Sequence, residues 1–220
     1  MNRNFTYFNA YLDNLLSDNY PQPYDEGHGD YARLFLEWAL ELVRGDRVLD
    51  VGCGQGFCQQ MFIDRGIAWR GVTVGEDYVY CREHLLPVDE ADMSFLRETS
   101  NSWDMIFARH VLEHSPFPIL TLMEWRRVAK NHLLLVLPTP DYWGIGGRNH
   151  YSVYTREQWW NAFSRAGWKV IHENRFTTSH PIFMKHYLPE IENREGVVFP
   201  GAPKDVEFWF ILEKAEEKID

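Results

Sequence analysis

Hydrophobic positions along the chain follow two rhythms. Phe5, Phe8, Leu12, Leu15 and Leu16 recur every three or four residues, which predicts a helix to about Asn19. "YARLFLEWALELV" (31–43) repeats that spacing more strongly and stops before Gly45, and the stretch between, "YPQPYDEGHGDY" (20–31), carries the Pro and Gly of a loop. From Arg47 onward short apolar runs alternate with amphipathic stretches. Strands are predicted at "RVLDV" (47–51), "WRGVTV" (69–74), "PVDEADM" (87–93), "WDMIFA" (103–108), "HLLLVLP" (132–138), "WKVIHENRF" (168–176) and "VEFWFILEKA" (206–215). Helices are predicted at "GFCQQMFIDRG" (56–66), "EDYVYCREHLL" (76–86), "PFPILTLMEWRRVA" (116–129) and "TREQWWNAFSRAG" (155–167), the last with Thr155 as N-cap and Gly167 closing it.

Strands alternating with helices predict an α/β fold: a Rossmann-like, doubly wound, mostly parallel seven-stranded sheet with helices on both faces and right-handed crossovers. "HLLLVLP" is almost wholly apolar, as a strand buried on both faces must be. The last two strands lack a full helix between them, which predicts an antiparallel strand at one edge. Residues 177–204 are long and rich in Pro and His, and read as a lid or an insertion with structure of its own. The expected organisation is an N-terminal helical segment, 1–45, contributing to a cover over the site, and a main domain, 46–220, that carries the insertion.

Composition narrows the function. With 220 residues, 45% of them hydrophobic, the chain can bury one sizeable core. No apolar run approaches the length of a membrane-spanning helix, and the first residues lack the basic-then-apolar pattern of a secretory signal. Cys53, Cys58 and Cys81 are odd in number and show no paired-CxxC spacing, so neither a zinc site nor a disulfide framework is expected, and a reducing cytoplasm is the expected compartment. A formal net charge of −10, with no local Lys/Arg run, speaks against a nucleic-acid partner. His172, His180 and His186 fit no ligand spacing, so no metal is expected.

Chemistry concentrates in "VLDVGCGQG" (48–56). A strand, a glycine-rich turn and a helix place a ligand at the carboxyl end of a parallel sheet, where glycines let it touch the backbone. A dinucleotide and S-adenosylmethionine (SAM) compete for such a loop. The dinucleotide pattern is GxGxxG with an acid at the tip of the second strand. Here Gly52, Gly54 and Gly56 give GxGxG, and the tip residue is Thr73. Asp50 would repel a pyrophosphate but suits the ammonium of a methionine moiety.

These residues resemble the first motif of class I SAM-dependent methyltransferases acting on small molecules. "EADMSFL" (90–96) is similar to that family's third-strand motif, "WDMIFARHVLEHSPFPILTLMEWRRVAKNHLLLVLPTP" (103–140) to its fourth-strand block, and "YTREQWWNAFSRAGWKV" (154–170) to its late helix and strand. The resemblance runs roughly from Asp46 to Ile171. It implies SAM as cofactor, held by Asp50, Gly52, Cys53, Gly54, Gly56 and Thr73, with Asp92 meeting the adenine amino group, Met93 offering a backbone contact and Arg109 beside them. Most members carry an acid at the second-strand tip. Thr73 resembles the variant of cyclopropane-synthase-like methyltransferases, with the ribose contact falling to Thr73, a backbone group or Glu76.

His110, after the fourth strand, is the candidate base, and His150 and Tyr151 are candidate catalytic residues in the loop after the fifth strand, near Trp143 and Arg148. Glu113 and His114 read as bracing that loop. The expected activity is methyl transfer from SAM to an O, N or C atom of a small-molecule acceptor, sugar- or lipid-linked ones included. A degenerate methyltransferase fold serving as a binding or scaffold module, and an NAD- or nucleotide-sugar-binding enzyme, are the competing readings.

Overall fold

The computed structural model describes residues 10, 14, 21, 25–143, 149–192 and 204–216. Helix α1 (Glu26–Leu42) leads into strand β1 (Arg47–Val51), followed by α2 (Gln59–Ile63), β2 (Ala68–Thr73), α3 (Gly75–Glu83), β3 (Val88–Glu90) and β4 (Trp103–Arg109). A 3₁₀ turn (Leu112–His114) precedes α4 (Pro118–Val128), β5 (Ala129–Pro138), the short α5 (Pro140–Trp143), α6 (Arg156–Arg165), β6 (Trp168–Thr177), α7 (Pro181–Glu192) and β7 (Asp205–Lys214). The seven strands form one sheet in the order β3-β2-β1-β4-β5-β7-β6. β3 through β5 pair in parallel, and β7 pairs antiparallel with both β5 and β6. The reversed strand is therefore β7, one place in from the edge that β6 occupies.

Alternation along the strands builds two cores. Leu49, Ile106, Leu135 and Phe210 point to one face, where Trp125 of α4 and Trp159 and Phe163 of α6 cover them. Val48, Phe107, Leu134 and Trp209 point to the other, under Phe35 and Leu36 of α1 and Phe62 of α2. Leu133 to Leu137 are fully buried, so β5 has no solvent face over that stretch.

Two elements differ from their sequence patterns for readable reasons. α1 begins at Glu26, inside the stretch expected to be a loop, because Asp25 caps it by accepting the His28 amide at 2.8 Å. Gly27, which suggested a loop, allows close packing: a Cβ there would lie 3.3 Å from His186 of α7. α2 shrinks to five residues between turns, and the turn after it reaches Gly66 with φ +72°. The capping expected of Thr155 is present as a full capping box with Gln158. Part of the 177–204 stretch is helical, as α7, and packs against α1 through His186 and Asp30 at 2.8 Å. The helix expected in the first nineteen residues, residues 193–203 of the 177–204 stretch, and Arg148 lie outside the described residues apart from Ala10 and Asn14.

Candidate functional site

A cavity of about 420 Å³ opens at the carboxyl ends of β1, β2 and β4. Asp50, Gly52, Cys53, Gly54, Thr73, Asp92, Met93, Arg109, His110, His150 and Tyr151 all line it. Gly56 does not line it. It turns the chain with φ +79° and packs near Leu86 and Trp69.

The floor is the loop after β1. Gly52 has φ +74°, and a Cβ there would lie 2.4 Å from Val111, so the backbone meets the fourth-strand loop with no room for a side chain. The amides of Gly52 and Cys53 both bond to the Val72 carbonyl, at 2.8 and 3.1 Å, which ties the loop to β2. Cys53 turns its thiol inward, 3.6 Å from the Gly54 carbonyl, and Cys81 approaches the same oxygen at 3.4 Å. Burial pushes the Cys53 thiol well up, so it contributes shape and backbone and no nucleophile.

Asp50 is 2% exposed and takes a 3.0 Å hydrogen bond from Trp69 Nε1. Burial raises its pKa to about 7 against the lowering effect of that bond. A carboxyl in this state is prepared for a cationic group. At the tip of β2, Thr73 is joined on the cavity wall by Asp77 from the first turn of α3, whereas Glu76 is exposed and lies off the wall. Asp77 thus supplies the carboxylate that the strand tip lacks. Asp92 accepts the Ser94 amide at 2.7 Å and is pushed up by burial, and the Met93 carbonyl accepts Trp125 Nε1 at 2.9 Å. The local brace and the cavity-facing position of Asp92 coexist.

At the far end sits a buried charge network absent from the sequence reading. Glu207 of β7, 2% exposed, accepts Arg109 Nη2 at 3.1 Å, His110 Nε2 at 2.7 Å and Trp209 Nε1 at 2.8 Å. Burial alone would raise its pKa, but Arg109 and His110 hold it down to about 2. His110 Nδ1 lies 3.3 Å from Glu113 Oε1. Burial would lower the His110 pKa, yet its two carboxylate neighbours outweigh burial and raise it. Both ring nitrogens of His110 face carboxylates, so this geometry speaks against His110 as a base. Its φ of +51°, rare for a side chain, costs about 1–2 kcal/mol. The Arg109 Nε atom is buried with no hydrogen-bond partner on the same wall.

His28, from the first turn of α1, also faces the cavity and was missed because its surroundings read as a loop. Burial, then the positive charges of Arg109 and His110, push its pKa down to about 4. It is therefore a neutral imidazole at pH 7. His150 and Tyr151 close the mouth, with Tyr151 39% exposed. No helix among the described residues is long and apolar enough to cross a membrane.

Comparison with known proteins agrees with this geometry. The pattern of a family described as a methyltransferase domain matches residues 24–173. A ubiquinone biosynthesis O-methyltransferase of Coxiella burnetii is 26% identical over 129 residues, which are 56% of this chain and 49% of that protein. The chain spans about half the length of the curated relatives it matches. A SAM-dependent methyltransferase from Archaeoglobus fulgidus superposes with a TM-score of 0.63 at 18% identity, covering 84% of this chain and 94% of that one. The [4+2]-cyclase SpnF superposes with a TM-score of 0.63 at 20% identity, covering 90% of this chain and 85% of that one. At these identities the solved structures establish the fold alone.

Proposed function

We propose, from the premise that this chain belongs to the SAM-dependent methyltransferase family, that it methylates a hydroxyl oxygen of a small, partly flat acceptor. It is a methyltransferase, and SAM is its cofactor. The carrying observation is one cavity with a buried carboxyl, Asp50, at its floor and the ion-paired Arg109 and His110 at its other end. Bound SAM supplies an electrophilic methyl group, so the chain's own work is to hold donor and acceptor in line and keep water away.

Asp50 takes the ammonium of the methionine portion, Thr73 and Asp77 accept from the ribose hydroxyls, and Asp92 accepts from the adenine amino group while the Met93 backbone lies beside the ring. Arg109, fixed by Glu207, offers its buried Nε–H to the acceptor oxygen. His28, a neutral imidazole on the cavity wall, is the group placed to take the hydroxyl proton. Tyr151 and His150 cover the acceptor. The O-methyltransferase name of the Coxiella burnetii relative favours oxygen over nitrogen or carbon as the methylated atom. Asp77 beside Thr73 on the cavity wall supports cofactor binding over a degenerate scaffold. The test has two steps. Calorimetric titration with SAM should give one saturable site, and release of S-adenosylhomocysteine should then rise with hydroxylated acceptor pools over amine pools. No heat with SAM rejects the reading, and turnover with amines alone rejects the oxygen acceptor.

A further inference from the structure

Glu113 and His114 lie in the 3₁₀ turn after β4, and His150 lies 36 positions beyond His114, in the segment before α6. One ligating atom from each falls within 4.8 Å of the other two, on the wall of the cavity. We infer that these three side chains form a binding site for a divalent first-row transition ion, which engages the acceptor oxygen beside the cofactor. The acceptor half of this inference rests on the methyl-transfer reading above; ion binding stands apart from it.

Four features carry it. Two imidazoles and a carboxylate are the donor set that suits zinc, iron, cobalt or manganese, whereas calcium and magnesium favour oxygen ligands. Glu113 is 0% exposed, yet neither of its oxygens makes a hydrogen bond; the nearest donor is His110 Nδ1 at 3.3 Å. Its nearby cation, His110, is shared with Glu207, so Glu113 keeps lone pairs that a metal ion can take. His114 Nδ1 lies 3.1 Å from the Asn149 carbonyl, which can only accept, so Nδ1 carries the proton and Nε2 is the nitrogen that can ligate. This is how histidine ligands are oriented by their outer contacts. Finally, the two segments are fastened together: the Ser152 amide donates to the Glu113 carbonyl at 3.0 Å and the Ser152 hydroxyl to the Ser115 carbonyl at 2.8 Å. An ion with bonds of about 2.0–2.2 Å would draw the three groups together by roughly 1 Å, within reach of small side-chain rotations.

The other group of this kind among the described residues, Glu26, Asp30 and His186, fails on the same criteria. Glu26 is exposed, and Asp30 is only part-buried and already accepts from His186 Nε2 at 2.8 Å, so that group lacks a buried, weakly paired carboxylate. At the cavity site, the ion would lower the pKa of the acceptor hydroxyl. The proton leaves to His28, the oxygen bonds to the methyl carbon, and the carbon–sulfur bond breaks with its electron pair remaining on sulfur.

The full chain, stripped with a chelator, is titrated with cobalt(II) and its visible absorption followed, with zinc(II) as competitor. The expected result is one equivalent bound per chain, weakened about 100-fold or more in Glu113→Gln and in His150→Ala. Glu113→Gln alters a buried turn; His150→Ala changes a loop and reads the site without that burden. Lack of saturable uptake, or uptake equal in wild type and His150→Ala, overturns the ion site. SAM titration on the same samples separates the two readings. Cobalt bound without SAM keeps the ion site and rejects the methyltransferase reading, and SAM bound without cobalt does the reverse.

Discussion

Asp50 joins proton and ligand in one equilibrium. The folded chain holds its proton to about pH 7, whereas the unfolded chain releases it near 3.8. Between those values the native state binds more protons, so this residue makes the ligand-free protein less stable as pH rises from about 4 to 7. A bound ammonium favours the ionised form. SAM affinity should therefore climb with pH toward 7 and level off above it, with a proton released on binding in mildly acidic buffer. Calorimetry in buffers of different ionisation enthalpy reads both. Asp50→Ala should weaken SAM roughly 10- to 100-fold at pH 8 and flatten the pH dependence; an unchanged profile would remove this account. Gly52→Ala tests the floor itself. The left-handed backbone and the 2.4 Å approach of Val111 should lower the melting temperature, and adding Val111→Ala should restore only the steric part. Both positions on the cavity floor were legible in the sequence because strand and turn are contiguous there. Asp77 was within four residues of Thr73 and still overlooked, because which of two neighbouring acids faces inward depends on where α3 begins.

β4 and β7 are where the sequence is least informative. Arg109 and His110 end β4, and their counter-charge, Glu207, arrives 97 positions after His110 on a strand that pairs with β5 and not with β4. In "DVEFWFILEK" it occupies a place in a nearly continuous apolar run, and nothing local marks it as the partner of two cations. Glu207→Gln should cost about 3–5 kcal/mol in urea unfolding by leaving Arg109 and His110 buried without their carboxylate. A loss under 1 kcal/mol would show that the network is not structural. Helix boundaries followed the same rule of locality. The Thr155–Gln158 capping box was readable because its two members sit three apart, while α1 took its early start from a cap at Asp25 and from packing against α7, which no window of residues around Gly27 contains.

The cavity gathers residues from α1, the three strand tips of β1, β2 and β4, the 3₁₀ turn and the segment before α6. A ligand filling it should stabilise the whole molecule. At SAM concentrations about 100 times the dissociation constant the gain is about 2.7 kcal/mol, or roughly 5–10 °C in melting temperature for a chain of this length. Differential scanning calorimetry checks it, and amide exchange should slow together in the β1 loop, at 110–114 and at 149–152. Strand order adds a constraint on biosynthesis. β6 leaves the ribosome before β7, yet β7 is its neighbour in the sheet, so the β6 edge waits unpaired while translation proceeds through the intervening residues. Until β7 slots in, Arg109 and His110 also lack Glu207. Closure of the sheet and completion of the catalytic pocket are thus a single late event, which keeps a half-made chain from offering a finished pocket.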